Sequence, residues 1–121
     1  GDYELLYHYP TVLVNVKPDM LVYSEETFGP VISIIRVDDI KQALELANSL
    51  PYGLDGAVFG HDIKALWEVA LQLQVGCVTI NDLPRHGLGL FPFGGTKASG
   101  FGREGIMRSV LEFTEERTIV W

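Results

Sequence analysis

Residues 81–104, NDLPRHGLGLFPFGGTKASGFGRE, form the stretch around which the rest of the chain is arranged. They contain six of the chain's 13 glycines and two of its 6 prolines. Glycine permits positive φ and close backbone approach, whereas proline fixes φ and removes a hydrogen-bond donor. The stretch therefore predicts a long, shaped loop, which in a compact domain is usually either functional or disordered. Apolar residues spread through it favour an ordered loop: Leu88, Leu90, Phe91 and Phe93.

Two motifs in the chain resemble sequences of a known family. Residues 91–104, FPFGGTKASGFGRE, resemble the PFGG-x-K-x-SG-x-GRE signature near the C-terminal end of aldehyde dehydrogenases. Residues 25–31, EETFGPV, resemble the EE-x-FGPV motif of the same family, and the spacers around both motifs match as well. The resemblance extends over residues 10–121. It implies that the chain is the C-terminal portion of a catalytic domain with a partial, Rossmann-like parallel sheet.

Composition excludes several classes of function. The 121 residues have a hydrophobic fraction of 47% and a formal net charge of -7, which predict a globular core without the basic surface that nucleic acids and anionic membranes require. No apolar run approaches the roughly 20 residues that span a bilayer, and the first residues lack the basic region of a signal peptide. Cys77 is the only cysteine, so the default setting is reducing and cytoplasmic.

The order of apolar and turn residues predicts an α/β fold in a single domain, residues 1–121. β-branched or continuously apolar runs predict strands at 11–16, 31–37, 56–59, 77–80 and 118–121. Helical periodicity predicts a helix after Asp38 or Asp39, a second after Asp62 and a third within 103–113. Strands that alternate with helices form parallel sheets with right-handed crossovers. Ligands bind beyond the carboxyl ends of such strands, where the stretch 81–104 begins.

Glu26 and Phe28 are candidates for cofactor binding. From the residues alone, a solvated carboxylate in a loop and a ring in the core are the simpler interpretations. The resemblance implies instead that Glu26 accepts hydrogen bonds from the nicotinamide ribose of NAD or NADP, and that Phe28 packs near the nicotinamide. Both roles suit the chemistry, because a carboxylate accepts hydroxyl donors and a phenyl ring offers an apolar face to a flat cofactor.

Phe93, Arg85 and His86 are candidates for substrate binding. Phe93 fits a core residue equally well, but the resemblance places it among the aromatic residues that line the substrate tunnel. The pattern around Arg85 and His86 resembles the non-phosphorylating glyceraldehyde-3-phosphate dehydrogenase branch, in which an arginine near this position contacts the substrate phosphate. Direct alignment places that arginine at His86, one residue after Arg85. Either residue could instead be an exposed charge, although an anion site needs a cation. Asn81 is expected to hold loop backbone together.

Three other features are interpreted as structural. Residues 100–105 fit G-x-G-x-x-G, but no strand precedes them, so they are expected to form a turn into a helix. Cys77 lies in an apolar strand and is expected to be a buried, inert thiol. The three histidines, at 8, 61 and 86, lack the spacing of metal ligands, so no metal site is assigned. No catalytic residue is assigned either, because the catalytic cysteine and general-base glutamate that the resemblance implies match nothing in this sequence.

Two hypotheses follow. In the first, the chain is a segment of an enzyme that oxidises an aldehyde to a carboxylic acid with NAD or NADP, while the catalytic cysteine and the general-base glutamate implied by the resemblance lie upstream of residue 1. In the second, the chain is a freestanding, non-catalytic module that binds another protein. The resemblance also implies a homo-oligomer in which residues 115–121 form a strand that pairs with a neighbouring subunit.

Overall fold

A computed structural model describes residues 3–84 and 90–121 of the chain. Its strands are β1 (Tyr3–Glu4), β2 (Tyr7–His8), β3 (Thr11–Leu13), β4 (Val31–Ser33), β5 (Asp55–Val58) and β6 (Cys77–Ile80). Its α-helices are α1 (Leu21–Ser24), α2 (Ile40–Ser49), α3 (Ile63–Gln72) and α4 (Ile106–Glu112), and a short 3-10 helix covers Lys97–Ser99.

Parallel strand pairs confirm the predicted α/β class. β3 pairs with β4 in parallel, so that Thr11 lies opposite Val31, and β5 pairs with β6 in parallel, so that Asp55 lies opposite Cys77. Helix α3 connects β5 to β6 and packs on both strands, as expected of a βαβ unit. The residues before β3 form a short antiparallel hairpin of β1 and β2.

Two predicted helix caps are present. The Asp62 carboxylate accepts hydrogen bonds from the backbone N–H groups of Lys64 and Ala65, at 2.9 and 3.2 Å. Before α2, the Asp39 carboxylate accepts one from the Gln42 N–H at 2.8 Å. The first N–H groups of a helix have no partner within the helix, so these carboxylates decide where α2 and α3 begin.

The core is smaller than the apolar content predicts. Val16, Leu44 and Leu66 are the buried apolar residues of the described chain, whereas many large apolar side chains remain exposed. The run 31–37 was predicted to be a strand buried on both faces, but β4 ends at Ser33 and Ile32 is 63% exposed. The physical reason is that each parallel pair has only two strands, so much of their apolar surface has no covering layer within the described residues.

The contacts of the chain group into two compact units, Gly1–Leu46 and Ala47–Trp121. The single domain, 1–121, therefore stays a prediction. Residues 114–121 adopt neither helix nor strand. A strand requires a paired edge, and the strand predicted at 115–121 is expected to pair with a neighbouring subunit. The single chain therefore does not test this prediction. Among the helices that the structure describes, none has the length and apolar character needed to cross a membrane.

Candidate functional site

Residues 93–104 form a closed loop within the second unit, hereafter the motif loop. Its ends are joined by two backbone hydrogen bonds, from Phe93 N–H to Glu104 C=O at 2.8 Å and from Glu104 N–H to Phe93 C=O at 2.7 Å. A compact loop of this length whose ends meet is an Ω-loop, a class that is frequently functional. Phe93, the candidate for substrate binding, thus lies at the neck of the loop.

The interior of the motif loop is held by Arg103. Its guanidinium donates to the carbonyl oxygens of Gly95, at 2.9 Å, and of Gly102, at 2.6 Å. Gly100, Gly102 and Gly105 have φ of 138°, 77° and 142°, values that favour glycine. Gly100 ends the 3-10 helix and Gly105 precedes α4, which confirms the interpretation of this glycine pattern as a turn into a helix.

The tip of the motif loop is attached to the segment that precedes β5. Thr96 donates its backbone N–H to the Gly53 C=O at 2.8 Å, and its hydroxyl lies 3.2 Å from that oxygen and 3.1 Å from the Gln74 C=O. The Ser99 hydroxyl oxygen accepts from the Gly53 N–H at 2.9 Å. Gly53 has no room for a side chain, since a Cβ there would collide with the Thr96 hydroxyl. This part of the family-like motif therefore joins backbone segments.

Lys97 attaches the motif loop to residues that lie far from it along the chain. Its ammonium donates to the carbonyl oxygens of Asn48, at 2.7 Å, and Leu50, at 3.0 Å, where α2 ends. The Asn48 side chain in turn donates to the Gln72 C=O at 2.9 Å and accepts from the Gln74 N–H at 2.8 Å. These contacts satisfy carbonyl groups that a helix leaves unpaired at its C-terminus.

Sequence reasoning missed these four polar residues of the attachment: Asn48, Thr96, Lys97 and Ser99. The sequence signal that could have identified them is their position. Thr96, Lys97 and Ser99 lie within the motif at 91–104, and Asn48 lies between the two motifs. The partners of their side chains lie 22 to 49 residues away along the chain, so local patterns could not identify them.

Asn81 performs the role that the sequence predicts for it. Its side-chain oxygen accepts from the Gly60 N–H at 2.8 Å, and its side-chain nitrogen donates to the Gly60 C=O at 3.0 Å. Asn81 follows β6 and Gly60 follows β5, so the pair ties the carboxyl ends of two parallel strands together. The asparagine has a φ of 55°, a conformation that this residue tolerates better than most.

Phe93 lines an open cavity of about 610 Å³ in the second unit. The cavity lies between the motif loop and α4, with Leu54, Arg103, Ser109 and Phe113 among its other lining residues. The ring of Phe93 is half-buried, so it is held by the loop while facing accessible space. That placement suits a residue that lines a substrate tunnel, and its contact with substrate stays a prediction.

Glu26 and Phe28 lie in the loop between α1 and β4 of the first unit. Phe28 is 91% exposed, so it is not a core ring in this chain. The Glu26 side chain is also exposed and forms no hydrogen bond or ion pair with any residue that the structure describes. A free carboxylate and an accessible ring on the same short loop could both meet a polar, aromatic ligand, and their cofactor roles stay predictions.

The other candidates give a mixed outcome. Arg85 and His86 lie outside the described residues. Cys77 is the first residue of β6 and its thiol is free, but it is half-buried and not fully buried as expected. Within residues 3–84 and 90–121, no group of three His, Cys, Asp or Glu residues could hold a metal ion.

Comparison with known proteins decides the family. The model of the aldehyde dehydrogenase family matches residues 2–119. The chain belongs to the aldehyde dehydrogenase family. It is 48% identical over 110 residues to succinate-semialdehyde dehydrogenase [NADP(+)] of Deinococcus radiodurans, a match that covers 91% of this chain and 23% of that protein.

Solved structures of aldehyde dehydrogenases agree in fold. The NADP-dependent glyceraldehyde-3-phosphate dehydrogenase of Bacillus halodurans, complexed with NADP, superposes with a TM-score of 0.86 and 44% identity over 89% of this chain and 23% of that one. Betaine aldehyde dehydrogenase of Staphylococcus aureus, in complex with NAD+, superposes with a TM-score of 0.84 and 40% identity. That match covers 89% of this chain and 21% of the other chain. The chain thus spans less than a quarter of these relatives.

Proposed function

We propose that the chain works as the C-terminal segment of an NAD(P)-dependent aldehyde dehydrogenase that oxidises an aldehyde to a carboxylic acid. The observation that carries the proposal is the family match over residues 2–119, which includes both motifs. In the complete enzyme this segment contributes binding surfaces, while the cysteine nucleophile and the general base come from the rest of the protein. The single free cysteine suits a cytoplasmic setting.

The residues present fit the nicotinamide cofactor. Glu26 would accept hydrogen bonds from the hydroxyls of the ribose, and Phe28 would place its ring against the flat nicotinamide. The bound nicotinamide supplies the acceptor for the hydride that leaves the substrate. The fit rests on the free carboxylate of Glu26 and on the exposure of Phe28. One relative above binds NADP and another NAD+, so either cofactor suits the proposal.

The proposed substrate is an aldehyde that carries an anionic group, with glyceraldehyde 3-phosphate as one candidate. The two relatives named for succinate semialdehyde and glyceraldehyde 3-phosphate act on aldehydes with a carboxylate and a phosphate. Phe93 would line the tunnel beside the aldehyde. Arg85 and His86 would supply positive charge for the anionic end, because a cation is the natural partner of such a group.

The isolated 121-residue chain is expected to have no dehydrogenase activity, whereas the longer enzyme that contains it turns over aldehydes. The reason is that the chain supplies no assigned nucleophile or general base. Formation of NAD(P)H with each protein measures the difference. Turnover by the isolated chain that the substitution Cys77→Ala abolishes would contradict the expectation. Inactivity of both proteins, together with binding of the chain to a full-length relative, would support the non-catalytic module instead.

We also propose that the protein forms a homo-oligomer through residues 115–121. Ile119, Val120 and Trp121 are exposed at the end of the chain, where they form a short apolar surface. Exposed apolar segments with free backbone groups pair readily with another chain, and a two-fold dimer is the simplest closed result.

Removal of residues 118–121 is therefore expected to convert the oligomer into monomers. Light scattering across a dilution series measures the change in mass. The matched control is Leu71→Ser, which alters an exposed apolar residue on α3 and should leave the mass unchanged. A protein that is monomeric at micromolar concentration before truncation would contradict the proposal.

A further inference from the structure

We propose that Lys97 is a positioning residue for Phe93: its ammonium anchors the motif loop to the end of α2 and thereby sets the place of the ring in the substrate tunnel. The inference rests on the proposed function, in which Phe93 contacts the aldehyde. It assigns a task to a motif lysine that lies outside both the cofactor loop, 25–31, and the candidate cation pair, Arg85 and His86.

The anchor is a charge-assisted contact at a favourable place. Lys97 reaches two carbonyl oxygens, those of Asn48 and Leu50, at 2.7 and 3.0 Å. Hydrogen bonds from an ammonium are stronger than neutral ones, and a cation at the C-terminal end of a helix also meets the negative end of the helix dipole. The contact joins residues 47 and 49 positions apart, so it contributes, with the bond from the Ala98 N–H to the Pro51 C=O, to the place of the loop relative to the C-terminal end of α2.

The backbone of Lys97 adopts a conformation of higher energy. Its φ is 54°, in the left-handed region that a lysine adopts rarely. Such a conformation persists only where the surroundings impose it. Loss of the ammonium would remove one of the contacts that impose it, so the tip of the loop would relax toward ordinary backbone angles.

A displacement of residues 96–99 would also displace Phe93, because close packing and hydrogen bonds make the motif loop rigid. Lys97 is four residues from Phe93, and between them Gly95 is packed so closely on Ser99 that an added Cβ would lie 2.6 Å from the Ser99 side chain. Arg103 binds the Gly95 carbonyl from within, and the backbone bonds between Phe93 and Glu104 close the neck. The loop therefore moves as a unit, and Lys97 acts on substrate through Phe93.

The test uses the complete enzyme with Lys97→Met, which retains a long side chain but removes the charge. We expect KM for the aldehyde to rise about tenfold with kcat changed far less, because a displaced ring weakens binding of substrate and transition state alike. Lys97→Arg, which can donate to both carbonyls, should restore KM. The matched control is Lys64→Met on α3, an exposed lysine whose ammonium has no partner among the described residues. The probes are succinate semialdehyde, glyceraldehyde 3-phosphate and propanal.

Two further measurements separate positioning from mere stabilisation. Hydrogen exchange should accelerate in Lys97→Met at the N–H groups of Thr96 and Ala98, which donate to Gly53 and Pro51, and not in Lys64→Met. In a double-mutant cycle with Phe93→Leu, the effects on KM should be non-additive, since both changes act through one ring.

Multiplicative effects on KM in the double mutant, or a lowered melting temperature with an unchanged KM, would overturn the inference. An equal change in Lys64→Met would overturn it as well. If the unmodified enzyme turns over none of these three aldehydes, the proposed function fails and the link from Lys97 to substrate fails with it. Hydrogen exchange would then still report whether the anchor exists.

Discussion

Replacement of Gly76 by alanine is expected to lower the free energy of unfolding by about 3 kcal/mol, at the upper end for an overpacked site. An added Cβ would collide with the carbonyl oxygen of Gly94, would lie 2.8 Å from the carbonyl carbon of that residue and would lie 3.2 Å from the Leu54 carbonyl oxygen. All three atoms belong to the backbone, so no side chain can rotate away to make room.

The backbone at Gly76 cannot move away either. Its N–H donates to the carbonyl oxygens of Gly53, at 3.1 Å, and Leu54, at 3.0 Å, immediately before β6 begins. A shift that relieved the collision would weaken these bonds and alter the start of the β5–β6 pair. The substitution therefore leaves either a steric collision or weakened hydrogen bonds, and each of these destabilises the second unit.

Denaturant unfolding of the complete protein measures the effect, with Gly29→Ala as the matched control. Gly29 has no atom within 4 Å of an added Cβ, so the same chemical change should alter the free energy of unfolding by less than about 0.5 kcal/mol. Equal effects of the two substitutions would mean that the close approach between Gly76 and Gly94 does not contribute to stability.

Local patterns in the sequence predicted those features that local forces determine. Asp62 caps α3 because a short acidic side chain can reach the free N–H groups of the first turn, and this tendency is visible in a few residues. The strand at Cys77–Ile80 was likewise predictable from its β-branched residues. Asn81 was correctly expected to tie backbone, because its short amide side chain readily binds backbone groups nearby.

Features that depend on distant partners could not be predicted in the same way. Nothing near Lys97 indicates that its ammonium reaches a helix end 49 residues earlier. The apolar run 31–37 indicates a tendency to be buried, but burial depends on a covering layer, and the described residues leave Ile34 exposed. The length of β4 was overestimated for the same reason, since a strand extends only as far as its partner.

In the candidate site, too, some features follow from residue types and others do not. The glycine turn and the loop character of residues 93–104 follow from residue types, whereas the roles of Glu26 and Phe28 came from the family resemblance. The structure adds that both residues are exposed and that Glu26 has no partner in the described chain. Exposure makes them available to a ligand, and a kinetic experiment can test whether they bind one.

Glu26→Gln is expected to slow hydride transfer in the complete enzyme about 100-fold, while cofactor affinity falls much less. The substituted amide side chain is nearly the same size and keeps a carbonyl oxygen, so part of the proposed contact with the ribose hydroxyls should survive. The lost charge would weaken the proposed hydrogen bond, which is worth roughly 1.5–3 kcal/mol. Its larger effect is on orientation, because a displacement of about 1 Å between reacting groups can cost about 100-fold in rate.

Single-turnover formation of NAD(P)H, followed by stopped flow with enzyme in excess over aldehyde, isolates this step from product release. Cofactor titration by fluorescence gives the dissociation constant separately. Glu25→Gln provides the matched control, since Glu25 is the neighbouring exposed carboxylate and its backbone N–H donates to the carbonyl oxygen of Leu21, the first residue of α1. Glu25→Gln should leave both quantities within about twofold of the unmodified enzyme. A Glu26→Gln enzyme whose single-turnover rate is unchanged would show that this carboxylate does not orient the nicotinamide, and the cofactor role proposed for the loop at 25–31 would have to be abandoned.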